Sequence, residues 1–253
     1  MNRIRVSADG PVGRITLARP EKRNALDRAT ADELAQALFA LSESPVRVVA
    51  LDAEGPDFCA GADLEALEEM LDSPRQAHLA DAQALGHVFH TMRRMEKPVV
   101  ALVKGRAFAG GAGLATACDI ILAREDARFA YPEVAIGFVP AMVMTMLRRT
   151  VGEKQAFDLV STGRVLSAKD AERIGLVSRV FSEAEFDQAA AAVLDTLAAA
   201  SASALAATKT LFYKLDNTSF LDGISAGIVA NADARATSDF REGVKRFTSR
   251  RKQ

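Results

Sequence analysis

Apolar and polar positions alternate at the start of this chain and then settle into helical spacing. Ile4 to Ser7 and Gly13 to Leu17 carry β-formers on either side of Asp9-Gly10-Pro11, which predicts a hairpin. Asp27 stands where a helix cap would, before a segment running from Arg28 to Ser42 that places Leu34, Leu38 and Leu41 on one face. Pro45 leads into the short apolar run Val46 to Leu51, which predicts a buried strand. A loop rich in Gly, Pro and Asp over 53–63 precedes a helical stretch to Met95. A strand follows at Pro98–Val103, then a glycine-rich turn opening a helix, then strands near Ile120–Leu122 and Arg128–Ala130.

Beyond this point the character changes. Ser167 to Asp170 is a capping-box-like start and Gly175 a stop for a helix from Ala168 to Ile174. Residues 184–200 and 201–215 are Ala-rich with helical spacing, and two more helices are predicted at 219–236 and 239–250. Strands alternating with helices and then helices alone predict an α/β core with largely parallel strands, over residues 1–190, and a helical region over 191–253.

Composition narrows the function classes. The chain of 253 residues is 49% hydrophobic and 26% charged, as in ordinary globular proteins, and its net charge of −1 offers no field to gather nucleic acid or anionic lipid. Cys59 and Cys118 are too few for a disulfide scaffold and point to a reducing setting. Met1 to Arg5 lacks the apolar core of a signal peptide, and the most apolar stretch, Pro98 to Ala123, is broken by Lys104, Arg106 and Asp119. The expectation is a cytoplasmic protein that binds neither nucleic acid nor membrane.

The most informative chemistry lies at Gly110-Gly111-Ala112-Gly113, which sits between a predicted strand and the apolar run Leu114 to Cys118. Small residues let a substrate approach the main chain, and a helix opening there aims free N–H groups and its positive dipole end at an oxygen gaining charge. Glu133 then offers a carboxylate to move a proton near that oxygen. No Gly-Lys-Ser/Thr follows, which excludes a P-loop, and a dinucleotide fingerprint would need a glycine at Thr116. His87 and His90 share a helical face without a third metal ligand, so no metal site is expected. Cys59 lacks a histidine partner placed by any motif, and no nucleophilic serine lies between Gly110 and Asp119.

Five segments occur in order: Ile15 to Leu26 (ITLARPEKRNAL), Phe58 to Leu64 (FCAGADL), Gly110 to Asp119, Tyr131-Pro132-Glu133, and Thr162 to Ala168 (TGRVLSA). Together they resemble the crotonase (enoyl-CoA hydratase/isomerase) superfamily over nearly the whole chain. The resemblance implies a spiral of ββα units followed by helices that build a homotrimer, in some members paired into a hexamer. It implies an acyl-CoA thioester substrate, with no resident cofactor because coenzyme A arrives as part of that substrate. By position, Ala62 and Gly110 would give the two oxyanion-hole N–H groups and Glu133 the catalytic carboxylate. Lys22, Arg23 and Ala25, with Ala60, Asp63 and Leu64, fall in the segments that hold coenzyme A, and Gly111 lies beside the reacting end. Lys245, Arg246 and Arg250 are candidates to meet its phosphates at a subunit boundary.

One departure changes the expected chemistry. Family hydratases carry two glutamates across the α and β carbons, and alignment from Cys118-Asp119 to Pro132-Glu133 puts the first on Gly113. A single carboxylate can still carry a proton from one carbon to another, as the Δ3,Δ2-enoyl-CoA isomerases of the superfamily do. Double-bond isomerisation is therefore favoured. The alternatives are hydration of trans-2-enoyl-CoA by Glu133 alone or with a carboxylate among Glu65, Glu68, Glu69 and Asp72, and a CoA-ester-binding homologue without catalysis. Met142, Met144 and Met146 also replace a glycine-rich run, and suit either a malleable acyl pocket or core filling.

Overall fold

A computed structural model describes residues 3–250, apart from the side chain of Arg250. The chain opens with β1 (Ile4–Ser7) and β2 (Val12–Leu17), the predicted antiparallel hairpin. After a short 3-10 turn at Pro20–Lys22 comes α1 (Arg28–Glu43), then β3 (Val48–Ala53). Asp27 caps α1 by accepting from Thr30 N at 2.7 Å. Two helices follow, α2 (Leu64–Glu69) and α3 (Arg75–Arg94), then β4 (Val99–Val103), β5 (Arg106–Phe108), α4 (Gly110–Ala117), β6 (Ile120–Arg124) and β7 (Arg128–Ala130). The second half runs α5 (Ala141–Val151), α6 (Glu153–Thr162), β8 (Leu166–Ser167), α7 (Ala168–Arg173), β9 (Arg179–Phe181), α8 (Phe186–Ala199), α9 (Ala202–Lys214), α10 (Phe220–Ala236) and α11 (Ser238–Arg250).

The larger sheet has the order β1-β2-β3-β4-β6-β9, parallel from β2 onward. Its central strands are apolar on both faces, and the period of two sorts their side chains. Val49, Leu51, Val99, Ala101, Val103, Ile121 and Ala123 join the main core with α1, α3 and α4. Val48, Ala50, Val100, Leu102 and Leu122 face the other way and meet Phe186, Ala190 and Leu194 of α8. The expected boundary at 190/191 therefore falls inside a helix whose buried face belongs to the sheet, and the purely helical region begins with α9.

A second, three-stranded sheet, β5-β7-β8, was not expected from the sequence. Its strands are two or three residues long and hold together by pairing: β5 runs parallel to β7 with Phe108 opposite Ala130, and β7 runs antiparallel to β8.

The helical region is tied to the core through Lys209 on α9, only 8% exposed. Its Nζ donates to Met92 O (2.8 Å), Lys97 O (2.9 Å) and Asp119 Oδ2 (2.7 Å). Burial draws this ammonium below the usual lysine range while Asp119 pulls it back up. Tyr213 donates to the other Asp119 oxygen at 2.7 Å, and Arg93 lies 4.2 Å over its ring. Farther out, Phe220, Leu221, Ile224, Ile228 and Val229 of α10 are exposed, and α10 buries none of its side chains within this chain.

Candidate functional site

Two loops meet at the N-terminus of α4. Cys59 N donates to Arg106 O and Phe108 N to Cys59 O, both at 2.9 Å, so the segment after β3 runs beside β5. Gly61 adopts φ +104°, and a Cβ built on it would fall 2.9 Å from Ala109 Cβ and 3.7 Å from Gly110 N. Only glycine permits that approach. Gly111 is closer still: a Cβ there would run into Cys59 O and lie 2.7 Å from the Cys59 Cβ and Sγ. Ala109, just before α4, takes φ +48° and ψ −123°, an uncommon conformation for alanine, and is held by Ala109 N donating to Ala130 O at 2.9 Å. The N–H groups of Ala62 and Gly110 make no hydrogen bond among the described residues. The structure thus brings together the two segments whose main chains the sequence singled out.

The loop is anchored from below. Asp57 is 5% exposed and accepts from Arg106 Nε at 2.8 Å and Nη2 at 2.7 Å, a bidentate pair that holds its carboxyl below the usual aspartate range. Cys59 is fully buried and its thiol is pushed up to about 12 by burial, so it stays protonated and packs.

The turn carrying Lys22 and Arg23 is zipped to the same loop. Ala60 N donates to Arg23 O (3.0 Å), Leu26 N to Gly61 O (2.7 Å) and Asp63 N to Leu26 O (2.8 Å). Arg23 and Asn24 are both left-handed, at φ +51° and +56°. Asn24, which sequence reasoning passed over, supports this: it is buried, donates to Glu54 O and Asp57 O at 2.9 Å, and accepts from Arg19 N. Its tolerance of that backbone region was the available signal. Lys22 pairs with Glu65, Ala25 is buried and Leu64 is exposed. Two of the candidate binding residues have structural duties. The Asp63 carboxylate caps α2 through Glu65 N and binds Arg19 at 2.9 Å, and Gly111 packs under Cys59. Lys245 and Arg246 are exposed on α11, and the Arg250 side chain lies outside the described residues.

Glu133 opens a 3-10 turn, Glu133–Ile136, three residues after β7 ends. It is 7% exposed, and its Oε2 is buried with no hydrogen-bond partner. Burial pushes its pKa above the usual glutamate range, against the pull of its own backbone N–H. Gly163 (φ +64°) supports the turn, since a Cβ there would lie 3.0 Å from Pro132 Cα; this gives the Thr162-Gly163 motif its packing role. Tyr131 is fully buried, its hydroxyl 3.0 Å from Thr116 Oγ1, which donates to Ala112 O at 2.7 Å. This chain fastens β7 to α4.

Gly113 faces an occupied space. A Cβ on it would sit 2.5 Å from Val143 Cγ2 and 3.3 Å from Phe89 Cζ, both residues buried. The carboxylates at Glu65, Glu68, Glu69 and Asp72 are exposed, as are His87 and His90. Among the described residues no three His, Cys, Asp or Glu side chains gather as a metal site. Met146 belongs to the core, while Met142 and Met144 are partly buried against it, and Met142 Sδ lies 3.2 Å from where a Cβ on Gly86 would be.

The sequence and the fold both resemble those of known proteins. The enoyl-CoA hydratase/isomerase family model matches residues 7–253. A protein of Thermus thermophilus, provisionally named an enoyl-CoA hydratase, is 40% identical over 243 residues, covering 96% of each chain. The mitochondrial enoyl-CoA hydratase of Pongo abelii is 35% identical over 95% of this chain and 82% of its own. The crystal structure of an enoyl-CoA hydratase from Mycobacterium smegmatis superposes with a TM-score of 0.94 at 33% identity, covering 99% of this chain and 97% of that one. With the family model matching residues 7–253, and with sequence and backbone similarity running over nearly the whole chain, this chain belongs to the enoyl-CoA hydratase/isomerase family of the crotonase superfamily and is an acyl-CoA enzyme.

Proposed function

We propose that this enzyme isomerises 3-enoyl-CoA to 2-enoyl-CoA with Glu133 as its one acid/base. The observation that carries the reading is the contrast between two positions. Glu133 is a buried carboxylate with an unpartnered oxygen, whereas the seat of a second carboxylate at Gly113 is filled by Val143 and Phe89. The thioester oxygen would sit between the N–H groups of Ala62 and Gly110. Glu133 takes a proton from C2, and the electron pair of that C–H bond spreads over the thioester oxygen and C4. Glu133 then returns the proton to C4, so the double bond moves from C3=C4 to C2=C3. The raised proton affinity of Glu133 suits a weak carbon acid. One oxyanion donor is worth about 3–4 kcal/mol of barrier.

Coenzyme A would lie along the zipped turn, with Lys22 and Arg23 beside its phosphates and the main chain of Ala25, Ala60, Asp63 and Leu64 beside the adenine. No resident cofactor is needed. The exposed apolar residues of α10 suit a subunit contact in a homotrimer, or in trimers paired as a hexamer.

A second reading, hydration of trans-2-enoyl-CoA, is favoured by the hydratase names of the relatives. Purified protein incubated separately with trans-3-enoyl-CoA and trans-2-enoyl-CoA, with products separated by chromatography, distinguishes the two. Conversion of the 3-enoyl to the 2-enoyl ester, abolished in Glu133→Gln while ester binding persists, is the expected result. Formation of 3-hydroxyacyl-CoA by the unmodified protein would overturn it.

A further inference from the structure

The absence of a glutamate at position 113 explains only half of the site. A glycine alone would leave a gap large enough for water, yet the volume in front of Gly113 is filled. Val143, on the first turn of α5, is 4% exposed and presents Cγ2 at 2.5 Å from the point where a Gly113 Cβ would stand. Phe89, from α3, closes the same volume at 3.3 Å. Both side chains are wholly apolar, and neither they nor Gly113 offers a group to hold or activate a water. An apolar contact therefore stands where the side chain of a second carboxylate at position 113 would begin.

We infer that Val143, backed by Phe89, is the specificity-determining residue of this site. It closes the face of the substrate's β carbon to water and to a second carboxylate, so that the reaction ends at the 2-enoyl ester. This rests on the isomerase reading. It adds that Gly113 and Val143 act as one complementary pair, the small residue being required by the large one. Restoring a glutamate at 113 alone puts its Cβ into the Val143 methyl group. Removing that methyl leaves the Val143 Cβ at 3.7 Å, ordinary contact, with Phe89 having to yield by a few tenths of an ångström.

The test compares wild type, Gly113→Glu, Val143→Ala and the double variant Gly113→Glu/Val143→Ala, each checked for folding by circular dichroism. Hydration of trans-2-enoyl-CoA is followed as 3-hydroxyacyl-CoA: water gives its hydroxyl to C3 and a proton is delivered to C2. The double variant is expected to hydrate at least about tenfold faster than wild type and Gly113→Glu. A folded double variant without hydration overturns the inference, and so does Gly113→Glu hydrating as well as the double variant. If the double variant does not fold, Val143→Ala decides, using a 3-enoyl-CoA with a methyl branch on C3. Its kcat/KM relative to the straight-chain ester is expected to rise at least about fivefold, and an unchanged ratio overturns the inference. Hydration by the wild type would sink the isomerase reading and this inference together, and would be visible before any variant is made.

Discussion

Replacing Lys209 by methionine removes a buried cation while keeping most of the length of its side chain. Three acceptors each lose one donor: Met92 O, Lys97 O and Asp119 Oδ2, at 2.8, 2.9 and 2.7 Å. Asp119 keeps Val99 N at 2.6 Å and Tyr213 Oη at 2.7 Å, but its compensating charge is gone. Removing one partner of a buried ion pair costs about 3–5 kcal/mol. For a chain of this size that lowers Tm by roughly 6–20 °C. Calorimetry at one fixed protein concentration reads it, since any assembly would otherwise move Tm by mass action. A cycle with Tyr213→Phe should show coupling of about 0.5–3 kcal/mol, because both groups hold the two oxygens of one carboxylate. A loss below about 1 kcal/mol would refute the reasoning, since that is what an exposed ion pair is worth.

Glu133→Gln should raise stability at neutral pH by about 1 kcal/mol, because it removes a buried carboxylate charge whose Oε2 has no partner. The folded pKa of Glu133 is raised, so the native state binds more protons than the unfolded chain between the usual glutamate range and that higher value. Wild-type stability therefore falls as pH rises through this window, and the variant's advantage should vanish in melts run below it; an advantage that persists there would contradict the assignment. The acid limb of kcat should lie above the usual glutamate range for the same reason. Gly111→Ala drives a methyl group into Cys59, with an expected cost of about 1–3 kcal/mol from overpacking. Because it displaces the Ala62 loop from Gly110, kcat should fall about 100-fold. An unchanged kcat in steady-state assays would mean the loop does not hold an oxyanion donor.

The sequence made the long elements legible because each carries its own pattern: Asp27 and the Leu34, Leu38, Leu41 face for α1, the alternating hairpin for β1 and β2. Of the short strands, β7 was legible but β5, β8 and β9 were not, since two or three residues hold almost no periodicity of their own and their pairing partners lie elsewhere in the chain. The site divides in the same way. Gly110, Ala62 and Glu133 stand out through motifs, and Gly113 through its departure from one. Their supports do not: Asp119 finds Lys209 and Tyr213 in a helix far along the chain, and Val143 and Phe89 meet Gly113 from two separate helices. Asp63 and Gly111, singled out as binding residues, also carry structural duties the sequence does not show: the Asp63 carboxylate caps α2 and pairs with Arg19, and Gly111 admits a close packing contact with Cys59.

The small sheet has a consequence for how this scaffold can change. Gly110 follows the end of β5 and Glu133 follows the end of β7, and those strands are paired side by side with Phe108 opposite Ala130. The separation between the two groups is thus set by the spacing of adjacent strands, about 4.8 Å, and by short rigid extensions, not by the length of chain that joins them. Insertions between α4 and β7 can lengthen that connection while leaving the strand register intact. Residues such as Val143 come from another element altogether and can be exchanged independently. If Gly110 and Glu133 act as proposed, the fold separates a fixed ruler between them from a replaceable wall at Val143, so new reactions would be reached by altering the wall alone.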